Sequence, residues 1–174
     1  LHRCVKYIDC EIFSQTLSIP VLRGKGTFAS SHEVVVDGRN YSAAKIVIAT
    51  GSKPGRPPIS GAELGITSDE LIHLKTQPGE MVVVGGGFIG LEFGFALAWA
   101  GTKVTVLQSG PQIAPALDDE IREILLKAAG EAGMTIKTNV KVNGIARDKS
   151  VEVEIGGRVE KFYADEIVLA TGSP

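Results

Sequence analysis

The chain has 174 residues, of which 44% are hydrophobic and 22% are charged, the composition of a globular protein with a substantial core. The net charge of −2 argues against nucleic acid or an anionic membrane as a partner, and no apolar run is long enough to span a bilayer. The spacing of Cys4 and Cys10 suits neither a redox motif nor a zinc site, and the histidines lack neighbours at metal-ligand spacing. We therefore expect no metal and a reducing, cytoplasmic setting.

Residues 21–41 predict a β-hairpin. Residues 21–28 have the composition of a strand, and Gly26 within them marks either the close approach of a ligand or a bulge. Residues 34–36 predict a second strand, and Asp37-Gly38 predicts the tight turn that follows it.

The next predicted strand covers residues 45–49 and ends in the turn Thr50-Gly51-Ser52. Prolines follow at positions 54, 57 and 58, and such a proline-rich exit is typical of a linker or a domain edge. Residues 59–80 predict a connecting loop with one short helix, for which Ser68 is the expected N-cap and Leu71 part of the apolar side.

The most informative stretch predicts a strand, a glycine turn and a helix in direct succession. Residues 81–84 form a short apolar strand, glycines follow in the spacing G-x-G-x-x-G, and an apolar helix extends to Ala100. A helix this apolar on all sides is expected to be buried. Residues 103–107 predict the next strand, so a complete βαβ unit surrounds the glycines, as a dinucleotide-binding fingerprint requires. A glycine-rich turn without a ligand is the less favoured alternative.

Each glycine of this fingerprint has a separate physical role. Gly85 allows a tight turn, Gly87 lets the backbone approach a pyrophosphate, and Gly90 lets the helix pack against the strand. The start of the helix adds free N–H groups and about half a positive charge, which favour a phosphate bridge.

The C-terminal part predicts one more helix and a series of strands. Asp118 is the expected cap of a helix whose apolar face includes Ile121, Ile124 and Ala129, with Arg122 on its solvated face. Strands are predicted at residues 134–138, 141–145, 151–155, 159–163 and 166–170. The pair Gly156-Gly157 predicts a two-residue hairpin turn.

The tetrapeptide Ala-Thr-Gly-Ser occurs twice, at residues 49–52 and 170–173, each time after an apolar, strand-like run. The repetition indicates either two related nucleotide-binding units in series or the chance recurrence of residues common at strand ends. Both interpretations stay open at the level of the sequence.

Five segments together resemble the pyridine nucleotide–disulfide oxidoreductases, flavoproteins that include dihydrolipoamide dehydrogenase, glutathione reductase and mercuric reductase. The segments are IVIATGS (46–52), ITSDE (66–70), VVVGGGFIGLE (82–92), VTVL (104–107) and IVLATG (167–172). The resemblance implies an α/β fold in which residues 1–57 end an FAD domain with its β-meander. Residues 58–174 would form a Rossmann-like, three-layer NAD(P)-binding domain with a parallel sheet and a meander of its own.

The resemblance also implies roles for individual residues. Gly26 matches a residue whose backbone meets the FAD adenine, and Thr50-Gly51-Ser52 matches the turn beside that cofactor. Glu92 matches a glutamate near the flavin that pairs with a lysine outside this chain, or it is simply a carboxylate favoured by the helix dipole. Val142 and Gly172 match positions near the adenosine half of NAD(P). The residues expected to cradle the NAD(P) pyrophosphate are Gly85, Gly86, Gly87, Phe88, Ile89 and Gly90.

Gln108 bears on the choice of coenzyme. Family members that prefer NAD usually place Glu or Asp at this position, the end of the second strand, to bind the ribose hydroxyls. Glutamine bonds a hydroxyl but does not repel a 2′-phosphate, and no arginine lies between Gln108 and Asp118, where NADP-preferring members usually place theirs. We therefore expect NAD, with NADP as the alternative.

For a full-length protein, the resemblance implies FAD-dependent hydride transfer between NAD(P)H and flavin, a disulfide or dithiol substrate, and a homodimer. The ITSDE segment favours the dihydrolipoamide dehydrogenase branch over NADH oxidases and ferredoxin reductases. The chain begins at Leu1 and contains neither the first FAD fingerprint nor a C-x-x-x-x-C pair, so we expect a fragment without disulfide chemistry of its own. A nucleotide-binding module without turnover is the alternative function.

Overall fold

The computed structural model describes residues 20–172, so Cys4, Cys10 and Ser173 lie outside the described residues. The chain divides into two compact units, Leu1–Gly51 and Ser52–Pro174. This division falls a few residues before the domain boundary expected at residue 57, which stays a prediction.

The first unit contains a small antiparallel sheet. The strands β1 (Gly26–Ser30), β2 (Glu33–Val36) and β3 (Arg39–Ser42) pair in that order. The predicted turn at Asp37-Gly38 is confirmed, because both residues have positive φ, 48° and 80°, as a two-residue hairpin turn requires. The first strand begins at Gly26, later than the sequence predicts.

The buried strand predicted at residues 45–49 is wrong. These residues have no regular secondary structure, and the side chains of Val47 and Ile48 are 86% and 71% exposed. A strand needs neighbours that bond its backbone, and no described strand of the first unit pairs with this segment. An apolar pattern predicts burial only where a partner is present to cover it.

The second unit alternates strands and helices and then ends in strands. A short 3₁₀ helix, Ala62–Leu64, precedes them. The elements that follow are β4 (Ile66–Thr67), α1 (Ser68–Leu71), β5 (Glu80–Val84), α2 (Phe88–Trp99), β6 (Lys103–Leu107), α3 (Asp119–Glu131), β7 (Thr135–Lys137), β8 (Lys141–Ile145), β9 (Ser150–Ile155), β10 (Arg158–Tyr163) and β11 (Glu166–Leu169). A parallel sheet has the strand order β4-β11-β5-β6-β7, and an antiparallel meander has the order β10-β9-β8.

Alternate side chains of the central strand face two different layers. Met81 and Val83 belong to a hydrophobic cluster with α2 and α3, whereas Val82 and Val84 belong to a second cluster with the meander. A strand covered on both faces is apolar throughout, which explains the continuous run in the sequence. The expected three-layer α/β fold with a parallel sheet and a meander is confirmed.

Two helices differ from the sequence prediction in what they bury. In α2, Phe95 is buried but Trp99 is 72% exposed, so the helix is covered on its sheet side and not all round. In α3, Ile121 and Ile124 are exposed while Arg122 is only 7% exposed, the reverse of the prediction. Arg122 is buried because its guanidinium bonds carbonyl groups of the preceding loop.

The sequence predicts the helix N-caps and the second hairpin turn nearly correctly. The N-cap of α1 is Thr67 instead of Ser68, and Thr67 and Glu70 form a reciprocal capping box. Asp118 is the N-cap of α3, as predicted. The hairpin between β9 and β10 turns at Gly156-Gly157, with φ of 56° and 77°, which confirms the predicted turn.

Candidate nucleotide-binding site

The carboxyl end of β5 passes into α2 through an elbow, residues 85–90, that contains the fingerprint glycines. Gly85 has a φ of 112°, and a Cβ there would overlap the carbonyl oxygen of Ala170. A Cβ on Gly90 would overlap the carbonyl oxygen of Gly85. At both positions the neighbouring backbone leaves no room for a side chain. This is expected for a tight turn at Gly85 and for close helix–strand packing at Gly90.

Gly87 is different, because space surrounds it. It is the N-cap of α2, and no described residue places an atom within 4 Å of the position that its Cβ would take. No side chain caps α2, and the first turn of this fully described helix has no acidic residue. The first N–H groups of a helix lack partners inside the helix and carry partial positive charge. Space, donors and the sign of the charge suit the diphosphate of a dinucleotide.

Gly86 is fixed through both of its backbone groups. Its N–H donates to Gln108 Oε1 at 2.8 Å, and its carbonyl oxygen accepts the N–H of Ala114 at 2.8 Å. Gln108 follows β6, and Ala114 lies in the β6–α3 loop, residues 109–118. The conformation of the elbow is thus set by a second segment of the chain.

Arg122 anchors the β6–α3 loop. Its Nε donates to the carbonyl oxygen of Ile113 at 3.0 Å, Nη2 donates to that of Leu117, and Nη1 pairs with Asp119. Periodicity alone assigns charged positions of an amphipathic helix to the solvated face, so this residue escapes the prediction. One signal was available, since Arg122 lies seven residues before the buried Ala129 and therefore on the same helical face.

A cavity of about 400 Å³ opens beside the elbow, at the carboxyl ends of β5 and β6. Its lining includes Gly85, Leu107, Asn139, Lys141 and Val142, and none of the described lining residues is acidic. Ligands of open parallel sheets bind outside the carboxyl ends of the strands, and this volume is in the range of small-molecule sites. The cavity brings Val142 and Gly85, two of the predicted site residues, together.

A smaller hollow, of about 140 Å³, brings together three other predicted site residues, Ser52, Ile89 and Gly172. Gly172 has a φ of 99°, in the left-handed region that favours glycine, and its carbonyl oxygen accepts the N–H of Gly55 at 2.9 Å. A larger hollow of about 510 Å³ lies between the β6–α3 loop, α3 and β7, but its lining contains no predicted site residue.

Arg56 binds the first residues of the second unit to the short elements that follow them. Its Nη1 donates to the carbonyl oxygens of Ala62 at 2.8 Å and Gly65 at 2.6 Å, and its Nη2 pairs with Glu70 at 2.9 Å. Glu70 also accepts the Thr67 N–H at 2.7 Å. The hydrogen bonds from Thr67, and after them the Arg56 charge, hold the pKa of Glu70 below its usual value.

Residues 9–174 match the protein family described as pyridine nucleotide-disulphide oxidoreductase. The chain belongs to this family. It is 33% identical over 162 residues to a glutathione reductase from Nostoc sp. (strain PCC 7120 / SAG 25.82 / UTEX 2576), covering 92% of the chain and 35% of that protein. It is 34% identical over 161 residues to a dihydrolipoyl dehydrogenase from Acholeplasma laidlawii, covering 89% of the chain and 48% of that protein.

Among solved structures, the HOCl-induced flavoprotein disulfide reductase RclA from Escherichia coli matches 98% of this chain and 41% of its own, with a TM-score of 0.75 and 28% identity. The chain spans about a third of the length of the glutathione reductases that it resembles. Relatives with different names are similar to nearly the same degree, so membership of the pyridine nucleotide-disulphide oxidoreductase family does not select a substrate.

The remaining predicted residues of this family member lie on the surface. Phe88 and Ile89 are about half exposed at the start of α2, and Glu92 is exposed one turn further along.

Within residues 20–172, no helix is both long and apolar enough to cross a membrane. The same residues contain no cluster of three His, Cys, Asp or Glu side chains that could hold a metal ion.

The residues expected to contact FAD are not brought together by any described contact. Gly26, Thr50 and Gly51 belong to the first unit and are exposed. A Cβ on Gly26 would meet the Val34 side chain at an ordinary 3.5 Å, so the fold does not itself require glycine there. Gly51 has a φ of 70°, comparable to the 99° of Gly172. However, β11 leads directly into the turn at Gly172, whereas residues 43–50, which lead into Gly51, form no strand. The FAD role of these residues stays a prediction.

Proposed function

We propose that the second unit binds a nicotinamide dinucleotide, with the diphosphate at the elbow formed by residues 85–90. The observation that carries this proposal is the uncapped start of α2 at Gly87, where space is open and the first helical turn contains no acidic residue. The adenosine half is assigned to the 400 Å³ cavity beside Val142, which Thr171, the neighbour of Gly172, also lines. In this assignment the amides at the start of α2, including those of Phe88 and Ile89, face the diphosphate.

NAD is the coenzyme that we propose first. The β6–α3 loop, residues 109–118, contains no arginine or lysine that would favour a 2′-phosphate. Gln108, which follows β6, offers an amide group to the ribose. NADP stays the alternative coenzyme.

For the full-length protein we propose an FAD-dependent oxidoreductase of the dihydrolipoamide dehydrogenase type, a homodimer in the cytoplasm that acts on a disulfide or dithiol. The similarity to a dihydrolipoyl dehydrogenase supports the type, although the glutathione reductases match as well. Bound nicotinamide and flavin would supply the hydride chemistry, and the chain itself would position the coenzyme. Glu92, exposed on α2, is proposed to lie near the flavin and to pair with a lysine that this chain does not contain.

The test is calorimetric titration of the 174-residue chain with NADH, compared with Gly87→Asp and the matched variant Gly156→Asp. Gly87→Asp sets a carboxylate where the diphosphate is proposed to lie and is expected to weaken NADH binding at least about tenfold. Gly156→Asp adds the same charge and creates the favoured Asp-Gly hairpin turn, so binding is expected to be unchanged. Thermal melts show that each variant is folded. Absence of binding by the unaltered chain, or equal binding by Gly87→Asp, would contradict the proposal.

For the chain on its own, we propose coenzyme binding without disulfide turnover. This alternative is favoured by the cysteines, because Cys4 and Cys10 are the only two in the sequence and lack the family's C-x-x-x-x-C spacing. The measurement is NADH consumption by the 174-residue chain with added FAD and either oxidised glutathione or lipoamide. Steady turnover of either disulfide would refute the proposal that the chain on its own binds the coenzyme without reducing disulfides.

A further inference from the structure

The peptide group between Ile113 and Ala114 is hydrogen-bonded on both sides. Its carbonyl oxygen, which belongs to Ile113, accepts the Nε–H of Arg122 at 3.0 Å. Its N–H, which belongs to Ala114, donates to the carbonyl oxygen of Gly86 at 2.8 Å. The side chain of Ile113 adds a packing contact, because its Cγ2 lies 3.0 Å from the position that a Cβ on Gly86 would take. Arg122 is therefore connected to the elbow through a single peptide group.

Ala114 has a backbone conformation that alanine does not favour. Its φ is 41°, in the left-handed region, and alanine has no polar side chain that could stabilise this conformation locally. Such a conformation persists only where the surrounding structure enforces it. Arg122 bonds the chain on both sides of Ala114, at the carbonyl groups of Ile113 and Leu117. The N–H of Leu117 in turn donates to the carbonyl oxygen of Ala114 at 2.9 Å.

The guanidinium of Arg122 is suited to this task. All three of its nitrogens are bonded, two to carbonyl groups and one to Asp119, and the side chain is only 8% exposed. A planar guanidinium presents several donors in a fixed geometry, whereas an ammonium group is a single flexible point charge. A loop held in this way keeps Gly86 in place before a ligand arrives, and backbone that is ordered in advance lowers the cost of binding.

We propose that Arg122 is a positioning residue for the coenzyme, which holds the elbow in its binding conformation through the Ile113–Ala114 peptide group. Arg122 is not among the residues that line the cavity beside the elbow. It lines the separate hollow of about 510 Å³ between the β6–α3 loop, α3 and β7. Its effect on the coenzyme is therefore transmitted by the loop and not by direct contact. This inference rests on the proposed coenzyme site.

The first experiment compares Arg122→Ala with the matched variant Arg56→Ala by calorimetric titration with NADH, below the melting temperature of each variant. Both arginines bond two carbonyl groups and one carboxylate, but the partners of Arg56 lie outside the elbow and the β6–α3 loop. Arg122→Ala is expected to weaken NADH binding at least about fivefold, and Arg56→Ala to leave it within about twofold. Both variants lose stability, so a change of affinity confined to Arg122→Ala cannot result from lower stability alone.

Arg122→Lys provides a second variant in case Arg122→Ala does not fold. Lysine keeps the charge and much of the apolar stem, but it has one donor nitrogen in place of three. We expect Arg122→Lys to fold and to bind NADH more weakly than the unaltered chain, although less weakly than Arg122→Ala. Binding by Arg122→Lys as tight as that of the unaltered chain would overturn the role given to the guanidinium.

The second experiment measures amide hydrogen exchange in the chain without coenzyme, so it does not depend on the proposed function. Exchange at the Ala114 amide is expected to be at least about fivefold faster in Arg122→Ala and Arg122→Lys than in the unaltered chain, and unchanged in Arg56→Ala. The Gly85 amide, which donates to the Leu107 carbonyl at 2.8 Å, is the internal control and should keep its rate in every variant.

The outcomes separate the two proposals. Unchanged Ala114 exchange in both variants of Arg122 would overturn the positioning role, whether or not a coenzyme binds. Faster exchange combined with NADH affinity equal to that of the unaltered chain would overturn the link between the loop and the coenzyme. Absence of NADH binding by the unaltered chain would instead refute the coenzyme site, and with it the part of this inference that concerns affinity.

Discussion

Gly90 lies so close to the elbow backbone that a single methyl group would collide with it. The added carbon of Gly90→Ala would overlap the Gly85 carbonyl oxygen and stand 3.1 Å from Cγ1 of Val83. Neither the elbow nor the core strand can move aside without breaking other contacts, so we expect the free energy of unfolding to fall by about 1–3 kcal/mol. Urea denaturation measures this change.

Gly87→Ala is the control for that substitution. Its added carbon would meet no described atom within 4 Å, and the φ of −79° suits any residue. Alanine is a poorer N-cap than glycine, so we expect a loss of stability of no more than about 1 kcal/mol, without the contribution of a collision. Similar destabilisation by the two substitutions would show that the collision at Gly90 is not the cause.

Single residues also mark the limit of what could be predicted for the site. The spacing of Gly85, Gly87 and Gly90 was sufficient to predict the elbow, because strand, turn and helix are local features of the sequence. The bond from Gly86 to Gln108 joins residues that are 22 apart, and it depends on the rotamer of one side chain. No periodicity encodes such a contact. The helical period places Arg122 on the face of Ala129, but it does not identify the loop carbonyl groups that Arg122 bonds.

At the scale of elements, the end of α3 offers a matched pair of glycines. A Cβ would meet nothing described within 4 Å at either Gly130 or Gly133, but Gly130 is helical while Gly133 has a φ of 73°. Alanine in a helix is favoured over glycine, so we expect Gly130→Ala to stabilise the chain by up to about 1 kcal/mol. Gly133→Ala forces alanine into the left-handed region and is expected to destabilise it by about 1–2 kcal/mol. Urea denaturation of both variants checks the opposite signs, and equal signs would contradict the argument.

The single turn of α1 depends on the charge of Glu70. The pKa of this carboxyl is lowered in the fold by hydrogen bonds from Thr67 and then by Arg56, so the charged form stabilises the folded state. That contribution is complete above the unfolded pKa and is lost as the pH falls through the folded pKa. We therefore expect Glu70→Gln to lower the melting temperature at neutral pH, with the difference shrinking towards zero in acid. A difference that stays constant from neutral to acidic pH would exclude this carboxylate as its source.

The elements that were predicted well are those that pair with neighbouring strands among residues 20–172. Residues 81–84 and 167–169 are continuous apolar runs, and each lies in a strand between two paired strands of the parallel sheet. Residues 45–49 have the same kind of pattern, yet Val47 and Ile48 are exposed. The segments differ in exposure because they differ in the described strands that pair with them. A local sequence pattern contains no information about such pairing.

At the scale of the molecule, both hydrophobic clusters and the whole elbow belong to the second unit. We therefore expect a shortened chain that begins at Ser52 to bind NADH as the 174-residue chain does. A chain that begins at Pro58 lacks Arg56, whose guanidinium bonds the carbonyls of Ala62 and Gly65 and pairs with Glu70. We expect it to be less stable by about 2 kcal/mol, the net value of a few such hydrogen bonds.

Urea denaturation and NADH titration of the two shortened chains decide where the domain begins. Arg56→Ala in the 174-residue chain is the matched variant, because it removes the same side-chain bonds without shortening the chain, and it should reproduce most of the loss. If the chain that begins at Pro58 were as stable as the one that begins at Ser52, the predicted boundary at residue 57 would stand. If it is weaker and Arg56→Ala accounts for the deficit, the residues from Ser52 onwards belong to the nucleotide-binding domain, because their own hydrogen bonds attach them to it.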